Sequence, residues 1–392
     1  MSNWKWVHLG EVAEAHRVRV DPSDLGDTPV THFSIPAFDC GKMPTIEPAS
    51  GIRSHKFRVE EDSVLVSMLN PRIPRVWLAT GSEIALASTE FSVIRPTDSR
   101  IKLEFLYYLC RSRAFTSMLD ERSTGTTGSR KRAKAADALG FFFLLPPPPT
   151  QDRIAAIIGS VESHITALSN EAEVLERLYR AATTLLWSTD SGDEAKTLSL
   201  GDVMQLDIAR TPMEEGTTYR LAGVLNAGKG VVDKGSFDGA GTEYTSMNVL
   251  RENQVVMRKL TAWEGPITVV PAEFDGYVAS SEFPTFTLTE AVAPEWMKHI
   301  CRTPRLWAEM QSRVVGTVQR RKRLNPEQLL SVALPIPSRQ RQEKIAAALD
   351  AIEAQIAIVR TQAAKLGQTQ ESLITGLLNR TIDIESAELL EV

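Results

Sequence analysis

The chain of 392 residues has only three cysteines, Cys40, Cys110 and Cys301. An odd number at such wide spacing supplies neither a disulfide framework nor the paired ligands of a zinc site, and it fits a reducing cytoplasm. No stretch approaches the roughly eighteen consecutive apolar residues of a membrane span, and the first residues, MSNWKWVHLGE, have no signal-peptide core. There is no Walker loop. Gly239-Ala240-Gly241 has no third glycine and no strand–helix setting to make a dinucleotide fingerprint. The six histidines, His8, His16, His32, His55, His164 and His299, are scattered, and no Ser/His/Asp set or carboxylate pair stands out. The chain is therefore expected to have no catalytic site, no cofactor and no metal of its own. Its formal net charge of −5 opposes a nucleic-acid partner only if the charge is evenly spread.

What is present is a long segment written twice. Hydrophobic content of 43% and charged content of 24% are those of a soluble globular chain, and the length suggests two or three domains. Residues 146–187 carry apolar side chains at Ile154, Ile158, Val161, Ile165, Leu168, Ala172, Leu175, Tyr179, Ala182 and Leu186. Steps of four and three alternate, which is a heptad seam. The same seam recurs 191 positions later at Ile345, Leu349, Ile352, Ile356, Val359, Ala363, Leu366, Gln370, Leu373 and Leu377, with Gln370 alone breaking the apolar rule. The spacing predicts two helices, over 150–187 and 341–378, each roughly 48 Å long at about 1.5 Å per residue. Neither stripe can be left in water, so the two helices are expected to pack on each other.

The duplication extends beyond the helices. Leu9-Gly10 matches Leu200-Gly201, the strand-like run around Val64 matches that around Val255, and Cys110-Arg111 falls on Cys301-Arg302. Ser88-Thr89-Glu90-Phe91 resembles Ser280-Ser281-Glu282-Phe283 at a spacing of 192. Strand-like runs are expected at 75–80, 84–94, 266–271 and 277–288, and a helix-like run from Leu103 and again from Pro294. An apolar strand then runs into prolines that stop it before each long helix. The expected architecture is α/β (α+β): two tandem-duplicated domains, 1–149 and 197–340, separated by the helices 150–187 and 341–378. A polar linker covers 188–196, and an acidic tail that frays covers 379–392.

The charge is concentrated in two places. Residues 122–134 hold Arg122, Arg130, Lys131, Arg132 and Lys134 without an acid, and 313–325 hold Arg313, Arg320, Arg321, Lys322 and Arg323, again without one. Each window lies between a Gly-Thr turn, with Thr126 or Thr317, and a short helix start; Asn325 reads as an N-cap with Pro326 at the first helical position. Helix-start amides, a glycine turn and guanidinium groups together make a seat for phosphate. Other candidates fail. Asn70-Pro71-Arg72-Ile73 departs from the Asn-Pro-Pro-aromatic loop of amino-methyltransferases at its third and fourth positions. Glu194-Ala195-Lys196 lies in the linker, and Trp77 and Trp263 read as core.

The prolines followed by Gln151-x-Arg153-Ile154-Ala155-Ala156 and by Gln342-x-Lys344-Ile345-Ala346-Ala347 resemble the start of the long helices of type I restriction–modification specificity (S) subunits. So do the Ser-Thr-Glu-Phe strand, Leu106-Tyr107-Tyr108-Leu109 and the Gly-Thr-plus-basic segment, and the likeness runs through both halves. It implies two target-recognition domains held apart by two antiparallel helices. Each domain would read one half of a bipartite, asymmetric site on double-stranded DNA. The helices would fix the spacing and dock two modification (methyltransferase) subunits, which restriction (translocase and nuclease) subunits join. S-adenosylmethionine, ATP and Mg would belong to those partners, leaving this chain non-catalytic. A spacer of roughly 48 Å exceeds one duplex turn of about 34 Å, so unread bases would lie between the half-sites. Phosphates would be met by the two basic windows. Base edges would be read from loops that differ between halves, LNPRIP against KLTAWEGP, with Asn70, Arg72, Arg75, Asn226, Lys229 and Lys234 as candidates. The helix-pair interface would be Ile154, Ile158, Val161, Ile165, Leu168 and Leu175 against Ile345, Leu349, Ile352, Ile356, Val359 and Leu366. A different reading of the same pattern is a coiled-coil assembly adaptor that reads no DNA sequence; salt-sensitive duplex binding separates the two. A self-contained methylase or nuclease would transfer methyl groups or cut DNA alone.

Overall fold

Strand Ser63–Ser67 is buried at every position, and its two faces feed two different cores. Val64 and Val66 point into a cluster with Phe105, Leu106, Phe115 and Ile94. Leu65 points the other way, into a cluster with Phe33, Phe57, Trp77 and Phe91. The alternation is the period-two consequence of an extended backbone. In the second half Val255 and Met257 lie in one cluster and Val256 in another, in the same way. The computed structural model describes residues 4–60, 62–80, 84–125, 130–187, 195–315, 322–382 and 384. The chain forms two compact units. Unit 1 comprises Met1–Ser169 and Thr361–Val392, and unit 2 comprises Asn170–Arg360.

Both units are mixed helix and sheet, and they repeat one topology. Unit 1 has a two-stranded sheet of Lys5–His8 with Phe142–Leu145 and a four-stranded sheet in the order Ala13–His16, Phe91–Pro96, Ser63–Ser67, Val76–Ala79. Its five-stranded sheet runs Arg19–Val20, Lys56–Val59, Ala85–Ser88, Pro29–Phe33, Thr45–Pro48. Unit 2 pairs Lys196–Ser199 with Ala333–Ile336. Its four-stranded sheet is Met204–Leu206, Thr285–Leu288, Val255–Met257, Ile267–Val269. Its five-stranded sheet is Ala209–Pro212, Ser246–Val249, Val278–Ala279, Thr218–Val224, Val231–Asp238. In each five-stranded sheet one neighbouring pair is parallel and the rest antiparallel.

Several sequence expectations need correction. The strand-like run 84–94 is two strands, Ala85–Ser88 and Phe91–Pro96, in different sheets; the chain changes sheet at Glu90. The run from Leu103 is likewise two helices, Leu103–Arg111 and Arg113–Arg122. Ser112 ends the first in an extended conformation and its hydroxyl accepts the Phe115 N–H at 3.3 Å, so a serine cap wins over helix continuation. In unit 2 Pro294–Ile300 and Pro304–Arg313 are separated in the same place, where Thr303 caps and Pro304 bars the helical conformation before it. Lys196 belongs to a strand rather than to a linker; residues 188–194 lie outside the described set. In the expected fraying tail, Ile384 is buried in the core of unit 1, Thr381 N–H returns to the Gly376 carbonyl at 2.9 Å, and the Arg380 guanidinium lies 5.3 Å from the Trp4 ring centre; residues 385–392 lie outside the described set.

The long helices are Pro148–Thr184, continued by a 3-10 turn Leu185–Trp187, and Arg339–Leu378. At about 1.5 Å per residue they are roughly 55 and 60 Å long. The first begins earlier than expected because proline is tolerated in a helix's first turn, where its missing N–H has no acceptor to lose. In unit 1 Ile154 and Ile158 of the first helix share a core with Ile374 and Leu377 of the second. In unit 2 Tyr179 and Ala182 of the first share one with Ile345, Ala346 and Leu349 of the second. Early turns of one helix thus meet late turns of the other, which is an antiparallel pair. Along the expected seam, Ile154, Ile158, Leu168, Leu349, Ile356 and Val359 are buried, and Val161, Ile165, Leu175, Ile345, Ile352 and Leu366 are half-buried. Among the described residues no helix is long and apolar enough to cross a membrane.

Candidate nucleic-acid interface

Three separate stretches of unit 1 are woven together at the point where the chain changes sheet. Glu90 accepts the Met68 N–H on its carbonyl at 2.8 Å. Its carboxylate holds the Arg132 guanidinium with two hydrogen bonds. The Arg132 backbone exchanges two hydrogen bonds with Thr124, at 2.9 and 3.0 Å. On its flanks Asn70 N–H donates to the Lys131 carbonyl at 2.8 Å and Ala133 N–H to the Met68 carbonyl at 3.0 Å. The loop after strand Ser63–Ser67, the turn at 88–91 and the basic segment therefore form one platform.

Unit 2 builds the same platform from its own residues. Lys259 N–H donates to the Glu282 carbonyl at 2.9 Å, Leu324 N–H to the Lys259 carbonyl at 3.0 Å, and Val315 and Arg323 exchange bonds of 2.9 and 3.0 Å. Arg323 meets Glu282 at 3.1 Å. The loop that differs between the halves sits on this common frame. In unit 2 Arg258 gathers it, donating to the Leu260 carbonyl at 3.0 Å, to Thr261 Oγ1 at 2.5 Å and to Asn226 Oδ1 at 2.8 Å. Gly265 closes the loop with φ of 66°, and a Cβ there would lie 2.6 Å from the Trp307 indole, so only glycine fits.

This geometry sorts the predicted residues. Arg72 is exposed on the loop of unit 1, Arg122, Arg130 and Lys134 are exposed, and Lys131 is half-buried; Lys229 and Lys234 are exposed in unit 2 and Lys322 half-buried. These cations remain available to a polyanion. Thr126, Thr317, Arg320 and Arg321 lie outside the described residues. Six of the expected residues have partners within the chain. Arg75 is 9% exposed and donates to both carboxylate oxygens of Asp39, at 2.7 and 2.8 Å; that hydrogen bonding holds the Asp39 carboxyl below its usual range. Arg75 therefore fastens helix Ile35–Gly41 to the sheet instead of reaching for a base. Asn70 is buried with φ of 49°, a turn-forming conformation asparagine tolerates, with its backbone taken by Lys131 and Ile73. Asn226 has both ends of its amide engaged, donating to Glu264 at 2.8 Å and accepting from Arg258. Arg313 satisfies the end of its own helix, donating to the Glu309 carbonyl at 2.9 Å and to Ser331 at 3.2 Å. Arg132 and Arg323 are ion-paired.

The helix starts add little dipole to a phosphate seat. Ala135–Leu139 and Pro326–Leu330 are five residues each, too short for a strong dipole. In each, the amide of the N-cap residue itself is turned back onto its own helix. Lys134 N–H donates to the Asp137 carboxylate at 2.7 Å and Asn325 N–H to Gln328 at 2.8 Å. Asn325 does stand at the N-cap position, but its side chain makes no capping bond.

Some structural roles were missed. Gln151 is fully buried; its amide donates to the Arg100 and Pro146 carbonyls, both at 2.7 Å, and accepts the Lys102 N–H at 2.8 Å. Gln342 repeats this with Ala291, Pro337 and Ala293 at 2.8, 2.9 and 2.8 Å. Each glutamine bolts the start of a long helix to its unit. The signal was the doubled Gln-x-basic-Ile-Ala-Ala motif, but its partners are remote in sequence. In unit 2 His299 is fully buried between Tyr179, 2.9 Å from its Nδ1, and Asp350, 3.1 Å from its Nε2. Burial and then the Lys298 charge lower its pKa, against the pull of Asp350 and Glu353, while burial pushes the Tyr179 hydroxyl up to about 12. His299, Asp350 and Glu353 converge closely enough to hold a metal ion. Lys298 and Arg302 already pair with those carboxylates, however, and supply the positive charge a cation would bring.

No family model and no curated protein matches the chain. Solved structures do. A chain from a structural study of complex assembly and conformational transition of the type I R-M system is 19% identical, with 96% of this chain and 97% of that chain covered and a TM-score of 0.62. A type I restriction-modification system S subunit from M. genitalium is 13% identical, with 96% of both chains covered and a TM-score of 0.57. The fold is thus shared with these proteins from one end of the chain to the other.

Proposed function

We propose that this chain is the DNA sequence-specificity subunit of a type I restriction–modification complex. It recognises a bipartite, asymmetric site on double-stranded DNA and docks two modification (methyltransferase) subunits, with restriction subunits joining the assembly. Chemistry is left to those partners, on which S-adenosylmethionine, ATP and Mg are expected, and the work is done in the cytoplasm. The observation that carries the reading is the repeated platform: in both units a basic segment is stitched to a loop, and the loops are unlike while the frame is alike. A common frame with two different loops suits two different half-sites, with cations for the phosphates beside them. The full-length likeness in fold to type I proteins supports it. A pure assembly adaptor would have no use for unlike loops held against basic segments.

The test is methylome sequencing of cells with and without this chain together with its neighbouring methylase. A split motif that depends on the chain is the expected result. Exchanging residues 1–150 for those of a relative should then change one half of the motif only. Methylation unaltered by the chain would refute the reading.

A further inference from the structure

In unit 1 a small apolar cluster fills one side of the five-stranded sheet: Val30, Ala49, Ile52 and Leu86 are buried together, with Leu25 packed on them. The matched turn bonds Thr28 N–H to Leu25 and Thr217 N–H to Glu214, and the matched 3-10 turns that end at Ile52 and Thr242, make Glu214 and Thr242 the counterparts of Leu25 and Ile52, so unit 2 has no apolar plug at either place. What remains there is an open recess of about 430 Å³ lined by Met247, Phe237, Tyr244, Phe283, Gly223 and Lys234. A register shift between Arg220 and Ala222 marks a bulge in the hairpin that forms its wall, and bulges bend strands. Gly223 makes room for the lysine stem, since a Cβ there would lie 3.0 Å from Lys234 Cε. The lysine is exposed and forms no ion pair with a described residue. Its neighbour Asp233 is engaged elsewhere, with the Tyr277 hydroxyl at 3.1 Å.

We propose that this recess receives one nucleobase turned out of the bound duplex, with that nucleotide's phosphate on Lys234; the inference rests on the chain being a DNA reader. Three considerations select this occupant. The recess is continuous with the DNA platform, because the turn at 280–283 sends Phe283 into the recess while Glu282 holds Arg323. Aromatic faces stack on any base, and a volume of a few hundred Å³ suits a small planar ligand. A base still paired is flanked by both backbones and cannot enter a concavity, whereas an extruded one can. Because unit 1 has this place plugged, only the half-site read by unit 2 would carry the extruded base.

The test starts from a duplex that the full chain selects out of a random pool. Each base is replaced in turn by a photoreactive analogue, and crosslinks are mapped by mass spectrometry. One position in one half-site is expected to crosslink to Tyr244, Phe237 or Phe283. Tyr244→Ala, at a half-exposed side chain, should leave the unfolding midpoint near the parent's, abolish that crosslink and weaken binding roughly ten- to hundredfold. Lys234→Gln should lower the salt slope by about one. Crosslinks confined to the Arg72 or Lys322 neighbourhoods, with Tyr244→Ala binding normally, would overturn the recess proposal and leave DNA reading intact. A chain that enriches no duplex sinks both.

Discussion

Arg132 grips Glu90 with Nε on Oε2 at 2.9 Å and Nη2 on Oε1 at 2.7 Å, and unit 2 repeats the pair as Arg323 on Glu282. Both guanidinium groups are more than half exposed, so each pair is worth only about 0–1 kcal/mol to stability. Its larger effect is on charge. One cation in each basic segment is cancelled where it stands, and the segment is pinned to the turn between the sheets.

A difference between neighbouring arginines follows for DNA binding. Each phosphate contact contributes about 0.9 to the slope of log K against log salt. Arg130→Ala should reduce the slope by about that amount, Arg132→Ala by much less, and Glu90→Gln should increase it. Fluorescence anisotropy with a labelled duplex at a series of salt concentrations reads all three. Equal losses from the two arginine variants would mean that the ion pair opens on DNA.

The buried glutamines should be costly to remove. Gln151→Ala leaves the buried Pro146 carbonyl and the part-buried Lys102 N–H and Arg100 carbonyl without their partner, and an unsatisfied buried group costs about 1–3 kcal/mol. A destabilisation of roughly 3 kcal/mol or more is expected, with faster hydrogen exchange in the first turns of the first long helix. Gln342→Ala should act alike in unit 2. Parental exchange rates in those turns would show that water takes the place of the amide.

Gln370 has the opposite sign. It is buried on the helical seam of unit 1, and its Nε2 has no hydrogen-bond partner. Its counterpart in the repeat is Tyr179, which bonds His299. Gln370→Leu removes a buried orphan donor and restores the apolar pattern, so a gain of about 1–2 kcal/mol is expected. Urea titration measures it; a loss of stability would contradict the assignment.

His299 should make unit 2 sensitive to mild acid. Its folded pKa is below the ordinary histidine value of about 6.5, chiefly because burial disfavours the charged ring. The unfolded chain therefore takes up this proton first. The stability is fully present above the ordinary value and is lost as pH falls from there through the folded pKa. One proton limits the slope to about 1.4 kcal/mol per pH unit. Thermal unfolding of the parent and of His299→Gln across this range should diverge, the variant being flatter. Parallel curves would remove His299 from the account.

The helices were legible because a heptad seam is local: three- and four-residue steps place Ile154, Ile158 and Leu168 on one stripe whatever lies opposite. The strand at Val64 and its repeat at Val255 were legible for the same reason. The break at Ser112 and the change of sheet at Glu90 were not, since each depends on which sheet or cap is near. Site residues fared worst. Arg75 and Asn226 look free in the sequence, and their partners Asp39 and Glu264 lie 36 and 38 residues away.

By itself the sequence determined that the chain is a duplicated α/β unit with two long helices, that each half carries a cluster of cations, and that the loops beside those clusters differ. Those properties are written in spacing and residue type. Only the tertiary structure decided which cations remain uncancelled, where Ser112 and Thr303 cap a second helix, and that unit 2 is open where unit 1 is plugged. Neutralisation and cavity filling are settled by groups far apart in the chain, and distance along the chain does not report distance in space.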